Sequence, residues 1–454
     1  MQTFDHFTDP ERMKDILQHR LPAFSNQRKI ITSCELGYTR YKTYRKPSSY
    51  VKSTLSICYH LKVTDPTTRE PGEQILYARA YLDNHSKTEF ANMKAFPTVS
   101  AGFEEPYQHL PDLDMIVWLF PNDPALSHLP ECIDPAKVRR HLPYDRLPSG
   151  FDGPEDILEV DAEVVHYRPE IRCTTQYRLQ WGAADSAQKI TLFGKTFRDD
   201  QGKALLERSN ALLRESERDA DSFLIAQPLG YSEEINTIWQ TGLYGNPLVD
   251  SINKTSVHNL LKTVASGLAV LHQSGLRSPV KITLVQHMLE IKKKIAKLVQ
   301  AFPQLSEPLK SIEQQLEQGS TEFYPLPDTI IHADFTVQQL LVCGDKIACF
   351  DFDEFSMGDP TQDVANFIVD CYFRNFDRDL LPIVISRFLH AYQRKVGYEI
   401  PANGLNWYIK MLFVTKAYRF YLQQKPRLED EIMAVLELAR DSLRLQRNLS
   451  YQEE

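Results

Sequence analysis

The chain is poor in the features that mark several large classes of protein. No apolar run approaches the roughly 18 residues of a membrane span. The opening MQTFDHFTDPERMKD also lacks the basic-then-apolar order of a signal peptide. A cytoplasmic protein without a membrane segment is therefore expected. Basic charge is not in excess: 52 Lys and Arg against 60 Asp and Glu leave a formal charge of −8, whereas binding to nucleic acid calls for a clustered basic surface. No nucleic-acid partner is expected. The seven cysteines are odd in number and contain no C-x-x-C pair, so they read as reduced core thiols rather than a disulfide framework or a zinc site. Glycine is sparse, 18 in 454 residues, and no glycine-rich turn opens a strand-helix unit.

What is present is an ordinary globular balance, 42% hydrophobic and 25% charged, on a chain long enough for two or three domains. Asp9-Pro10 ahead of ERMKDILQHRL predicts a short capped helix. Alternation and β-branched residues from Ile30 to Leu82, broken at Asp65 to Gly72, predict a hairpin, and Met115 to Phe120 predicts a further strand stopped by Pro121-Asn122-Asp123-Pro124. The prolines between His141 and Asp156 suggest a domain boundary near residue 150. Strand-like alternation resumes from Ile157 to Phe197, and a helical pattern runs from Gly202 to Arg214. After Gly242 the chain reads as mostly helical, with clear segments at Val257–Gln273, Val285–Ala301, Gln362–Phe373, Leu380–Arg394, Leu405–Leu422 and Glu429–Arg447. Three domains are expected, at 1–150, 151–241 and 242–454.

Two stretches echo one another. Tyr44-Arg45-Lys46-Pro47, Cys58-Tyr59-His60-Leu61 and Leu76 to Tyr81 parallel Tyr167-Arg168-Pro169, Tyr177-Arg178-Leu179 and Leu192 to Phe197. Either any two proline-bearing hairpins look alike, or a strand module is duplicated. In a duplication, Arg79 stands where the second copy has Lys195.

Chemistry concentrates between Thr329 and Asp363. One β-branched run ends in His332-Ala333-Asp334-Phe335-Thr336-Val337-Gln338-Gln339, and a second, Ile347 to Phe350, ends in Asp351-Phe352-Asp353. Gly358-Asp359-Pro360-Thr361-Gln362-Asp363 follows. Acidic groups at the ends of two adjacent apolar strands suit phosphoryl transfer, which needs one carboxylate to take the proton of the attacking hydroxyl and oxygen ligands to hold magnesium on nucleotide phosphates.

These two segments resemble the kinase-like aminoglycoside phosphotransferase superfamily, with its maltokinase-like branch as the nearest suggestion. There the loop reads approximately H-G-D-x-x-x-x-N, and the metal segment I-D-[FW]-[DEG] is followed by G-D-P-x-x-D. The resemblance implies an α+β, bilobal protein-kinase-like fold, with a strand-rich N-lobe and a mostly helical C-lobe, preceded here by an additional strand-containing N-terminal domain, which would be a cap on the nucleotide lobe, as the maltokinase-like resemblance suggests, or a partner-binding surface. It implies ATP and Mg2+ as cofactors and a small-molecule hydroxyl acceptor as partner. Asp334 would be the catalytic base and His332 its brace. Gln339, in place of the usual Asn, would ligate metal with Asp351 and Asp353, while Asp359 and Asp363 would anchor the loop. Lys195 would hold the nucleotide phosphates with Glu207, or else Glu215, as its helix partner. Gln240 and Gly242 would lie at the hinge facing adenine, and Arg168 or Arg172 would meet phosphates in the absence of a glycine loop.

Ala333 replaces the loop glycine, a mild change unless that position needs positive φ. Two other readings stay open. A haloacid-dehalogenase-type phosphatase expects Thr or Val at Phe355 and a doubly wound domain after it. A catalytically inactive nucleotide- or sugar-binding pseudokinase would explain the missing glycine loop and Gln339. For the acceptor, the stripe Asn406, Trp407, Tyr408, Lys410, Lys416, Tyr418, Arg419 and Tyr421 reads either as core packing with a wet edge, the commoner case for such a stripe, or as a surface whose Trp407 and Tyr408 would suit stacking on a sugar, amino sugar or aminoglycoside. Nothing in the sequence speaks to oligomeric state.

Overall fold

The computed structural model describes residues 4–45, 51–82, 84–100, 105–148, 153–182, 188–377, 379–424 and 427–449. The expected boundary at residue 150, and Lys46-Pro47 of the echo, lie outside the described residues. Strands dominate the first half and helices the second, an α+β chain. It divides into two compact units, one of Met1–Leu206, Pro228–Gly242 and Phe420–Leu428, the other of Glu207–Gln227, Leu243–Arg419 and Glu429–Glu454.

The first unit contains two antiparallel five-stranded sheets. One is built from β1 (Ile30–Arg45), β2 (Val51–Thr64), β3 (Pro71–Tyr81), β4 (Tyr107–Leu110) and β5 (Met115–Leu119), in the order β1-β2-β3-β5-β4. The other is built from β6 (Ile157–Arg168), β7 (Arg172–Trp181), β8 (Gln188–Phe197), β9 (Pro228–Ser232) and β10 (Thr237–Thr241), in the order β6-β7-β8-β10-β9. The orders are the same, and so is the register. Leu76 to Ala80 run opposite Leu119 to Met115, as Leu192 to Thr196 run opposite Thr241 to Thr237. Arg79 thus faces Ile116 and Lys195 faces Ile238, each the second residue of its partner strand. Each closing hairpin passes through a 3-10 turn into one left-handed residue, Asp114 in the first and Asn236 in the second, both at φ 47°. Short polar side chains are the non-glycine residues that accept that conformation most readily. The echo in sequence is therefore a repeated sheet. The copies differ in the helix after the third strand, His85–Ala91 in one and Gln201–Ser216 in the other.

Each sheet has its own core. The first packs Leu55, Ile57, Tyr59, Ala78 and Val117 with Met13 and Leu17 of the helix Pro10–Arg20, which begins as expected with Asp9 accepting from the Arg12 amide. The second packs Tyr177, Leu179, Leu192 and Trp239.

The second unit is helical apart from short strands: β11 (Asn246–Pro247), β12 (Thr329–Ile331), β13 (Leu340–Cys343), β14 (Lys346–Cys349) and β15 (Ser356–Gly358). β13 and β14 form a hairpin with β11 at its edge, and β12 pairs with β15. The expected helices are found at Val257–Gln273, Leu284–Ala301, Thr361–Cys371, Leu380–Val396, Ala402–Gln423 and Leu428–Leu449. Two helices were not expected, the single turn Leu248–Ser251 and the longer Ser306–Gly319, whose Leu309, Ile312 and Leu316 are buried. Every residue of the helix Thr361–Cys371 is buried, so its acidic and amide side chains must be satisfied inside the protein. Among the described residues no helix is long and apolar enough to cross a membrane.

Candidate active site

The antiparallel pair β12–β15 and the hairpin β13–β14 deliver the two acidic segments. As β12 ends, the chain turns through His332 to Gln339; as β14 ends, it turns through Asp351 to Asp353. The first turn is held almost wholly by the helix Thr361–Cys371. Asp363 Oδ2 accepts the His332 amide at 2.6 Å, and Oδ1 accepts the Ala333 amide at 2.9 Å. His272 Nε2 meets the same carboxylate at 3.2 Å, and its Nδ1 lies 2.6 Å from the Tyr392 hydroxyl. Gln362 Nε2 and Asn366 Nδ2 both donate to the Ala333 carbonyl, at 3.2 and 3.0 Å. Asp370 Oδ2 accepts the Val337 amide at 3.0 Å and is itself bonded by Arg374, through Nε at 2.9 Å and also through Nη2. Asp363, Asn366 and Asp370 are spaced three and four apart, so one helix face aims all three at the loop.

This grip fixes an unusual backbone. Ala333 sits at φ 68°, in the left-handed region. The loop position does require positive φ, and alanine adopts it at a cost of roughly 1–2 kcal/mol. Four hydrogen bonds to one peptide neighbourhood supply what is needed to hold it there.

His332 is fully buried. Its Nε2 donates to the Phe350 carbonyl at 3.1 Å, tying the loop to the residue before Asp351, and its ring lies 4.6 Å from that of Phe352. Its Nδ1 is buried with no hydrogen-bond partner. Asp334 is half-buried, and Arg419 Nη2 donates to its Oδ1 at 3.2 Å. Asp351 is also left-handed, at φ 66°, and begins a 3-10 turn that includes Asp353; both are half-buried.

Gln339 is buried and its amide oxygen is occupied. It accepts from the Thr336 amide at 2.9 Å and from the Thr336 hydroxyl at 3.0 Å, closing a capping box over a 3-10 turn. The donor at Thr336 N requires the oxygen, not the nitrogen, to point this way. Both lone pairs are spent, so the oxygen expected to bind metal faces inward to the loop in this conformation. Asp351 and Asp353 are carboxylates of the kind a hard cation takes, and magnesium on a nucleotide needs only one or two of them, with the phosphates supplying the rest. Among the described residues no group of three or more His, Cys, Asp or Glu is arranged to hold a metal.

Lys195, Gln240 and Gly242 lie in the first unit, Lys195 half-buried on β8 and Gln240 near the end of the neighbouring β10, opposite Phe193. Glu207 is exposed and belongs to the second unit, and Glu215 is paired with Arg218, just past the end of its helix. In place of a glycine loop, the turn between β6 and β7 is clamped by the first sheet's module. Buried Asp123 accepts the Tyr167 hydroxyl at 2.7 Å and the Glu170 amide at 2.8 Å, and Arg79 forms an ion pair with Glu170. Burial pushes the Asp123 carboxyl up despite these bonds.

Of the two readings of the late stripe, core packing holds for its aromatic pair: Trp407 and Tyr408, whose rings would suit stacking on a sugar, are 3% and 2% exposed and belong to the core. The Trp407 indole N–H donates to the Leu316 carbonyl at 2.8 Å, and Tyr408 hydrogen-bonds to Asp359, whose carboxyl burial raises. Lys416 and Arg419, about two and three turns further on, instead line an open recess with Asp334, Thr336, Asn366 and Asp370. Arg419 beside Asp334, and Asn366 and Asp370 beneath the loop, were not singled out from sequence for these roles. The polar spacing 363-366-370 was the signal for the last two.

Residues 176–402, half of the chain, match the family model described as the phosphotransferase enzyme family. No curated protein matches the sequence. Among solved structures, the ADP-bound aminoglycoside phosphotransferase APH(2'')-Ib is similar at 15% identity and a TM-score of 0.44, over 63% of this chain and 95% of that one. The ethanolamine kinase of Plasmodium vivax is similar at 13% identity and a TM-score of 0.45, over 69% and 88%. A choline/ethanolamine kinase family protein from Mesorhizobium loti is similar at 15% identity and a TM-score of 0.39, over 60% and 88%.

Proposed function

The chain belongs to the phosphotransferase enzyme family, and from that premise we propose that it transfers the terminal phosphoryl group of ATP to a hydroxyl of a small molecule, with Asp334 as the base that receives the hydroxyl proton. The observation that carries this reading is the loop itself. A half-exposed carboxylate opens onto a recess, on a backbone held in a strained conformation by a buried helix. Strain of this kind persists only where surrounding structure enforces it, and it concentrates at functional sites.

Asp334 would orient the hydroxyl through the carboxylate oxygen that Arg419 does not occupy, and accept its proton as the new P–O bond forms. His332 would act as a positioning residue, coupling the loop to the Asp351 segment through the Phe350 carbonyl. Asp351 and Asp353 would hold magnesium, which when bound supplies charge neutralisation on the phosphates. Gln339 would keep the loop closed over Thr336 rather than join them. Lys195 would take the nucleotide phosphates, and Gln240 and Gly242 would present backbone groups to the base. Residues 151–241 and 242–454 would then serve as the nucleotide and catalytic lobes, with residues 1–150 as a cap whose Asp123 and Arg79 hold the β6–β7 turn.

The test is ADP release, coupled to an indicator reaction, over sugars, amino sugars, aminoglycosides, choline and hydroxy acids. Asp334→Asn should abolish turnover while ATP still binds, and Asp351→Asn should remove the magnesium dependence of ATP binding. Wild-type rates from the Asp334 variant would show that the base lies elsewhere. ATP binding without ADP release over the whole panel would favour a binding protein.

A further inference from the structure

Resting on the phosphotransferase reading, we propose that the acceptor carries an anionic group, a carboxylate or a phosphate, near the hydroxyl presented to Asp334, and that Lys416 and Arg419 bind it.

The recess beside Asp334 is small and open to solvent. Its lining carries two cations and two carboxylates, but the carboxylates are already engaged. Of the two carboxylates that line it, Asp370 is committed to Arg374 and to the Val337 amide, and one oxygen of Asp334 meets Arg419. Lys416 holds its ammonium over the Phe373 ring, 4.4 Å from the centroid. Behind it, Lys294 Nζ donates to the hydroxyl of Thr415, another lining residue, at 3.2 Å. With the neighbouring Lys293–Glu290 pair included, five cations (Lys293, Lys294, Arg374, Lys416, Arg419) stand against three carboxylates (Glu290, Asp334, Asp370). The positive excess comes from Lys294 and Arg374, which stand behind the lining.

Electrostatics points the same way. Burial lowers the pKa of both Lys416 and Lys294 and the charge of Arg419 lowers both further, while Asp370 and Asp334 oppose the shift at Lys416 and Glu290 opposes it at Lys294. An anion in the recess would relieve that repulsion, whereas an amino sugar, an aminoglycoside or choline would add to it. The Arg419–Asp334 pair is 55% and 34% exposed on its two sides, so it is worth little in water and is readily exchanged. A guanidinium fork matches carboxylate and phosphate better than it matches a single carboxylate oxygen. Moving Arg419 to an incoming anion would also free Asp334 for the hydroxyl, so that the base is fully available only when the right acceptor is bound.

The experiment is calorimetric binding of D-gluconate, glucose 6-phosphate, glucose and glucosamine to the full-length protein, with turnover of each measured in parallel. One or both anionic probes should bind about tenfold or more tightly than glucose, with glucosamine weakest. Which of the two binds separates a carboxylate from a phosphate site. Lys416→Met and Arg419→Met should erase that advantage while ATP binds as in the wild type, which also reports that the variants are folded. Glucosamine binding as well as or better than gluconate and glucose 6-phosphate, or the variants weakening ATP and the anionic probes equally, would overturn the proposal. Turnover of glucosamine alone would overturn it and leave the phosphotransferase reading intact. Anion binding that depends on Lys416 and Arg419 with no turnover of any probe would support the site and count against the reading.

Discussion

Asp363 and Ala333 are joined by a 2.9 Å hydrogen bond from a backbone amide to a carboxylate that is fully buried. The same carboxylate takes the His332 amide and faces His272, so one side chain sets the geometry of two consecutive residues of the loop and the helix behind them. Removing it would strand three donors in a site that water does not reach. Asp363→Ala should therefore destabilise the protein by roughly 3–5 kcal/mol, and Asp363→Asn by about 1–3 kcal/mol. Denaturation in urea measures both. ADP release should fall by about a hundredfold or more even in the milder variant, because a small displacement of a base is enough. Wild-type stability in Asp363→Ala would mean that the loop is held by something else.

Ala333 gives the opposite sign. Its φ of 68° is one that glycine adopts freely. Replacing it with glycine removes roughly 1–2 kcal/mol of strain and gives back about 0.4–1 kcal/mol through the looser unfolded chain. Ala333→Gly should thus raise stability, by up to about 1.6 kcal/mol after that subtraction, and thermal unfolding would show it as a higher midpoint. A lower midpoint would show that the strain is not borne at this residue.

Much of this site was legible because its signals are local. His332, Asp334, Asp351 and Asp359 to Asp363 sit at strand ends and a helix start, where hydrophobic pattern and turn residues mark positions to within a residue or two. The repeated sheet was half legible for the same reason, since alternation and the Arg79–Lys195 correspondence are written in sequence, whereas the shared strand order becomes visible only in the pairing of β5 with β3 and β10 with β8. Long-range facts were not legible. Arg419 meets Asp334 across 85 positions, and His272 meets Asp363 across 91. Trp407 and Tyr408 look like a binding surface in sequence because an aromatic pair on a helix does not reveal which face is covered; here Leu316 of the unexpected helix Ser306–Gly319 covers it. That helix had an apolar spacing at 309, 312 and 316, but Pro303 and Pro308 bracket its start, and a proline in a first turn is easily mistaken for a break.

Gln339 separates two accounts of the metal site by its own behaviour. With its oxygen closing the capping box on Thr336, Gln339→Ala should cost about 0.5–2 kcal/mol of stability and leave the magnesium concentration for half-maximal ADP release unchanged. A ligand would behave differently, and its loss should raise that concentration by roughly tenfold or more. Titrating magnesium against ADP release in the variant decides between them.

Lys416 predicts a pH dependence whose direction can be worked out. Its pKa is lowered from the ordinary 10.5, chiefly by burial; Asp370 and Asp334 oppose the shift, and Arg374 and Arg419 reinforce it. Below the lowered value the lysine is charged in the folded protein and holds an anionic acceptor. Between that value and 10.5 the folded protein has released the proton and the unfolded chain has not, so affinity for the anion falls with rising pH while the lysine's contribution to folding stability rises. The affinity of D-gluconate or glucose 6-phosphate, measured by calorimetry across the alkaline range, should therefore drop at a pH clearly below that of a free lysine. The bound anion itself, by favouring the charged form, moves the drop upward in the complex, so it is the free protein's titration that sets the lower edge. In Lys416→Met the profile should flatten at a uniformly weaker affinity. A wild-type profile with no alkaline loss would show that Lys416 does not bear on the bound anion.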